Sequence, residues 1–322
     1  MIKKAPIVFQ PYLKTVIWGG DKICEYKGIN QPEPQIGESW EISVVPTHES
    51  VVIQGHYKGK NLQQLVDCFG EELLGRNVVN KYGKKFPLLV KLIDANDNLS
   101  VQVHPDDALA MKRHKSFGKT EMWYILQADK DAKIYAGFNT PMTPREYDKR
   151  VENNTLSETL AIHPSHPEDV FFLPPGVVHA IGAGNLLIEI QESSDITYRI
   201  YDYNRRDANG KGRQLHTREA KDAIDFNICN HYKFHSSASD KQETSQLVEC
   251  DHFKTKRIKI AGEKDFVTDN SSFLILICVE GHVAILCEDG EAEITSGHSV
   301  LIPAAVTNLT LKGEATLLSA RV

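Results

Sequence analysis

Two stretches of this chain run in step. DVFFLPPGVVHAIG occupies residues 169–182, and SVLIPAAVTNLTLK occupies residues 299–312. With Pro174 laid on Pro303, Gly176 falls on Ala305 and His179 falls on Asn308. Upstream, EMWYILQADKDAKIY from residue 121 aligns without gaps to SSFLILICVEGHVAI from residue 271. Trp123, Ile125 and Leu126 then meet Phe273, Ile275 and Leu276, and Glu121 meets Ser271. Two matches in the same order indicate a duplicated unit. The chain is thereby restricted to folds that hold two copies of one structure.

The copies are written in β grammar. Short segments rich in Val, Ile and aromatics are punctuated by Gly, Pro, Asn and Asp: SWEISVV, ESVVIQG, NLSVQVH, EMWYILQA, AKIYAGF, VFFLPPG and NLLIEIQ. The expected fold is mainly β, two related jelly-roll barrels with a few short helices. NLQQLVDCFGEELLG reads as one helix closed by Gly75. TPREYDKRVEN reads as a helix capped by Thr143 with Pro144 in its first turn, and HTREAKDAIDF as one capped by Thr217. Residues 235–246, HSSASDKQETSQ, are polar and read as a linker between a unit at 1–234 and an all-β unit at 247–322.

Composition narrows the function. The 322 residues carry a net charge of -6, which argues against a nucleic-acid surface. No stretch approaches the roughly 20 apolar residues of a membrane helix. The six cysteines are scattered without a CxxC pair, which fits a reducing, cytoplasmic setting.

Chemistry concentrates in three places. In NLSVQVHPDD, strand alternation puts Ser100, Gln102 and His104 on one face and Val101 and Val103 on the other. That polar face lines either a cavity or the solvent. In GKTEMWYIL, Lys119 and Glu121 are two residues apart and share a face, as a surface ion pair would also do. In PPGVVHAI, a stiff turn delivers His179, a position where a lone histidine is more often structural. Taken together, two imidazoles and one carboxylate suit a divalent first-row metal, with Gln102 as a weak fourth donor. The imidazoles favour zinc over magnesium.

FPLLVKLIDANDNLSVQVHPDD, GKTEMWYIL, LPPGVVHAI and IEIQESSDITYR together resemble the signature blocks of type I mannose-6-phosphate isomerases, the short bacterial form. The resemblance is densest from Phe86 to Arg199 and extends to VIWGG at 16–20. It implies a pair of cupin-like jelly rolls, with Gln102, His104, Glu121 and His179 holding one catalytic zinc ion. It implies a pocket lined by Lys91, Lys119, Glu189 and Arg199. Ser100, as a hydrogen-bond partner for the phosphate, and Trp18 are read as further substrate contacts. The chain departs from longer relatives at Gly118, where those have a histidine, so no proton-transfer role of that histidine applies here. The second copy has Asn308 and Ser271 in place of ligands, so residues 247–322 are expected to bind no metal.

The implied reaction interconverts mannose 6-phosphate and fructose 6-phosphate by proton transfer between C1 and C2 through an enediolate. Glu189 is the first candidate for the base, its pKa raised by burial, the alternatives being an outward carboxylate on its strand or a partner for Lys91. Arg199, Lys91 and Lys119 would hold the phosphate or the developing charge. The rival readings are a non-catalytic sugar-phosphate-binding cupin and a different metal-dependent cupin enzyme.

Overall fold

The computed structural model describes residues 1–206, 210–227, 231–236 and 243–322. Its strands form two large sheets in the N-terminal part and one in the C-terminal part. The seven-stranded sheet runs Lys233–His235, Asp169–Leu173, Glu121–Ala128, Asn185–Glu192, Leu88–Ala95, Ile36–Ile42, Tyr12–Gly20. The five-stranded sheet runs Tyr198–Tyr201, Val101–Val103, His179–Ile181, Lys133–Phe138, Leu160–Pro164. The two face each other across Trp18, Ile93, Trp123 and Ile125 from one side and Ile134, Ala136 and Ile181 from the other. The jelly roll is thus a two-sheet sandwich, and hydrogen bonding does not run round a closed cylinder.

Three consecutive-neighbour strands of the larger sheet are buried nearly throughout, because both faces are covered. On the back face, Val90, Met122, Ile188 and Ile190 join one core with helical Leu62, Leu65 and Leu74 and with Phe273, Ile275 and Leu301 of the C-terminal sheet. That sheet has Thr244–Glu249, Lys254–Val267, Asn308–Arg321, Leu274–Cys287 and Gly290–Thr295 in order, with Ser299–Ile302 also paired to Leu274–Cys287.

The duplication is visible in the pairing. Glu121–Ala128 and Lys133–Phe138 correspond to the two halves of Leu274–Cys287, and His179–Ile181 and Asn185–Glu192 to the two halves of Asn308–Arg321. Each correspondence keeps its partners. The register, however, differs by three from the ungapped alignment. Phe171 pairs with Trp123, whereas Val300, its counterpart through the proline turn, pairs with Leu276. An odd shift exchanges the faces of a strand. Interior Trp123 therefore corresponds to interior Leu276, and Glu121 to Leu274 rather than to Ser271.

Two helix readings are also corrected. Gly70, at φ 46°, breaks the first expected helix into Leu62–Phe69 and Glu71–Leu74, and Gly75 at φ 91° closes the second piece. The third helix spans Thr217–Ala223 with His216, not Thr217, at its N-cap. Thr143 caps Pro144–Glu152 by accepting from Glu146 N. Of the polar segment 235–246, residues 237–242 lie outside the described residues, and its ends belong to the strands Lys233–His235 and Thr244–Glu249. Cys24, Cys68, Cys250, Cys278 and Cys287 carry free thiols, and Cys229 is outside the described residues.

Candidate metal centre and polar interior

Alternation builds the site. On Leu88–Ala95, Ile93 and Ala95 point into the sandwich, so Lys91 does too. By the same parity Glu121 and Trp123 point inward, as do Glu189 and Gln191. Register then lines up Trp40, Lys91, Glu189, Trp123 and Phe171 in one row across five strands. On the facing sheet His179, Gln102 and Arg199 form a second row. His104 stands just beyond its strand, where the Pro174–Val177 turn meets it: Gly176 N donates to His104 O at 3.0 Å.

The three ligating types converge. One donor atom each from His104, Glu121 and His179 lies within 4.8 Å of the others, and all three residues are buried. Glu121 Oε1 is 3.2 Å from His179 Nε2 and 3.6 Å from His104 Nε2. Both rings turn Nδ1 to a backbone carbonyl, His104 to Ile196 and His179 to Val177, each at 2.9 Å. That leaves Nε2 with its lone pair aimed inward, the second-sphere arrangement of metal-bound imidazoles. Burial lowers both histidines, His179 to about 4, so both rings are neutral. Neither oxygen of Glu121 is in hydrogen-bond geometry with a donor, though Lys119 Nζ approaches Oε2 to 2.7 Å. Burial pushes the Glu121 carboxyl up, only partly offset by Lys119. A buried acid without a donor, facing two lone pairs, is a poor apo arrangement and a good cation site. Gln102 stands beside them with its amide nitrogen, not its carbonyl oxygen, 3.3 Å from His179 Nε2, so the convergent group is the two histidines and the carboxylate.

Beside this group lies a charged row. Lys119 Nζ is 3.2 Å from His104 Nε2 and 3.8 Å from Glu189 Oε1. Lys91 Nζ is 3.2 Å from Glu189 Oε1, and Trp123 Nε1 donates to Glu189 Oε2 at 2.9 Å. Burial alone would raise the Glu189 carboxyl, as the sequence suggested. The two ammoniums and the indole outweigh it and hold Glu189 below the usual carboxylate range. Lys119 is likewise held charged: burial opposes the ammonium, but Glu121 and Glu189 prevail. Arg199 is half-buried, its Nε donating to Ser100 Oγ at 3.3 Å and its NH1 to Gln214 O at 3.0 Å. Trp18 is a wall residue, packed in the apolar cluster with Trp123 and Leu187 rather than in the polar row.

Sequence reasoning missed Glu38. It is buried, 3.8 Å from Lys91 Nζ and 3.1 Å from Lys14 Nζ, and accepts from Trp40 Nε1 at 2.7 Å. A carboxylate two residues from a tryptophan in an alternating strand, GESWEI, was the available signal. Gly118 also gains a reason. A Cβ there would stand 2.6 Å from backbone atoms of Asp106 and Asp107, so no side chain fits at this position.

Fold and site together define a cupin-type protein whose first sandwich holds a buried two-histidine, one-carboxylate group. Residues 7–141 match the model of the phosphomannose isomerase type I catalytic domain, and residues 243–322 that of the mannose-6-phosphate isomerase cupin domain. The chain is 35% identical over 312 residues to mannose-6-phosphate isomerase ManA of Bacillus subtilis, covering 96% of each. It is 32% identical to the mannose-6-phosphate isomerase of Streptococcus mutans, covering 98% of this chain and 97% of that one. The crystal structure of the mannose 6-phosphate isomerase from Bacillus subtilis superposes with a TM-score of 0.88 at 32% identity, covering 98% and 99% of the two chains. The chain belongs to the type I phosphomannose isomerase family. No helix among the described residues is long and apolar enough to cross a membrane.

Proposed function

We propose that this protein is a zinc-dependent isomerase that interconverts mannose 6-phosphate and fructose 6-phosphate. One observation carries the reading beyond family membership. The buried Glu121 carboxylate faces two inward Nε2 atoms and, through Lys119, adjoins the ionised Lys119–Glu189–Lys91 row. A cation site and an acid–base pair therefore open on the same interior.

The reaction moves one proton between adjacent carbons and shifts the carbonyl from one to the other. It needs a base that returns its proton to the neighbouring carbon, and positive charge near both oxygens. Zinc on His104, Glu121, His179 and Gln102, when bound, supplies Lewis-acid polarisation of the sugar oxygens. Glu189 is ionised and so ready to accept the proton. Its basicity rises when bound sugar oxygens share the Lys91 and Lys119 ammoniums that now stabilise it. Arg199, with Ser100, offers a guanidinium for the phosphate. Trp18 and Trp123 supply apolar wall.

Two measurements test this. Metal-loaded protein should turn over mannose 6-phosphate in a coupled assay and stop on chelation. Zinc bound without turnover would leave a sugar-phosphate-binding role. Glu189→Gln should retain zinc, lose about 10²–10⁴ in kcat and stop incorporating solvent deuterium into the sugar. Normal incorporation would exclude Glu189 as the base.

A further inference from the structure

The seven-stranded sheet carries charge on both faces, and the site uses only one. Glu189 and Gln191 enter the sandwich, so Glu192 points to the back. There it is buried and meets the C-terminal part of the chain. Glu192 Oε1 lies 2.9 Å from Nδ1 of His252, in the turn between Thr244–Glu249 and Lys254–Val267. Glu192 Oε2 accepts from Thr120 N at 2.7 Å, and Glu192 N donates to Thr120 O at 3.1 Å. Thr120 is the residue between Lys119 and Glu121.

We infer that His252 is a positioning residue for the isomerase site: through Glu192 it grips Thr120 and sets Lys119 and Glu121 in place. The inference rests on the proposed function for its activity readout, but its geometry does not. The 118–120 segment lies outside helix and strand, so local hydrogen bonds must hold it. Asp107 holds its other end, with Gly118 N donating to Asp107 Oδ1 at 2.8 Å. Lys119 N donates to Pro105 O at 3.1 Å. Lys81 faces the same seam and donates to Asp251 O. Of these supports, His252 is the one the C-terminal part supplies. Burial works against the Glu192 charge, yet His252 and Thr120 together outweigh it and hold the carboxyl below its usual range. The Glu192 carboxylate beside it lifts His252 above its ordinary value against its own desolvation, with Asp107 adding to the rise and Lys81 opposing it. A carboxylate so anchored has little freedom to release Thr120.

The test uses the zinc-loaded full chain. His252→Ala should lower kcat about tenfold, the size of effect second-sphere groups have, with KM for mannose 6-phosphate within about twofold and zinc content unchanged. His252→Gln, whose amide can still donate to Glu192, should recover most of the loss. Adding Glu192→Gln to His252→Ala should cost little more, because both act through one link. Amide hydrogen exchange at 118–121 reads the grip without turnover and should speed up in His252→Ala. Wild-type kcat with unchanged exchange would overturn the inference, as would a kcat loss that tracks zinc loss. Asp107, Glu192 and His252 also place their donor atoms within 4.8 Å of one another. A second zinc equivalent that disappears in His252→Ala would make this a metal site and overturn the strut. Absent turnover in wild-type protein would instead defeat the proposed function and leave the exchange result to decide this one.

Discussion

The two copies share a topology and differ in what they enclose. The first interior holds Glu38, Lys91, Lys119, Glu121, Glu189, His104 and His179, all buried. The second encloses Leu276, Cys278, Val283, Ile285, Val300, Ile302, Leu311 and Leu317. Where the first has Glu121 the second has Leu274, and where the first has buried His179 the second has exposed Asn308. Strand pairing is a backbone property, so it survives replacement of every inward side chain that does chemistry. Charges inside a sandwich cost desolvation unless paired, and the first copy sets its own beside partners, Lys119 against Glu121 and Lys91 against Glu189. The second copy has no such cost and can serve as support. Its back-facing Ile275, Ile277 and Leu318 complete the core behind the catalytic sheet.

The sharpest way to break this comparison is to mutate the equivalent positions. His179→Ala should lose metal and activity together. Losing several kcal/mol of charge stabilisation is on the order of a thousandfold in rate. Asn308→Ala should change neither. Metal analysis beside kcat separates them, and full zinc content in His179→Ala would sink the ligand assignment.

The proline turns give a second pair. Gly176 sits at φ 88°, and a Cβ there would meet Ala223 O and Asp225 N at 3.0 Å. Gly176→Ala should destabilise by about 1–3 kcal/mol and disturb His104 through its bond to Gly176 N. Ala305, its counterpart, is not among the residues at positive φ. Ala305→Gly should cost less than about 1 kcal/mol. Chemical denaturation of both variants, with zinc content for the first, checks this.

The smallest effects concern two aspartates of opposite sign. Asp94 is pushed up to about 6 by burial, against the hydrogen bond from Lys22 N, and its Oδ1 has no partner. The folded state then binds the extra proton, so stability falls as pH rises from about 4 to 6. Asp94→Asn should raise stability at pH 7 by on the order of 2 kcal/mol, with no gain below pH 3. Asp269, in the second copy, is lowered to about 2 by Arg321 and Ser271. Its contribution is present above pH 4 and lost as pH falls toward 2. Because it is exposed, Asp269→Asn should cost less than about 1 kcal/mol. Melting temperatures across pH would show the two slopes, and parallel slopes would refute the contrast.

Much of the site could be read from one dimension because alternation is local. Ser100, Gln102 and His104 share a face by counting, and the proline turn that delivers His179 is a contiguous phrase. The duplication was equally legible, since it rests on two runs of side chains in one order. What counting could not supply was register. The ungapped alignment placed Phe273 on Trp123, yet one faces the shared core and the other the polar interior. Hydrogen-bond partners, not similarity, settle a shift of three.

The chain alone therefore determined strand identity, the doubled unit and the short list of candidate ligating residues, all consequences of side-chain pattern over neighbouring positions. Tertiary structure decided the rest, because burial and charge are properties of neighbours distant in sequence. It broke the first helix at Gly70, placed Glu38 beside Lys91, and turned Glu192 to the back of the sheet to meet His252. It also reversed the expected pKa of Glu189: burial was foreseeable from LLIEIQE, but two ammoniums, one from a strand and one from the segment before another, outweigh it.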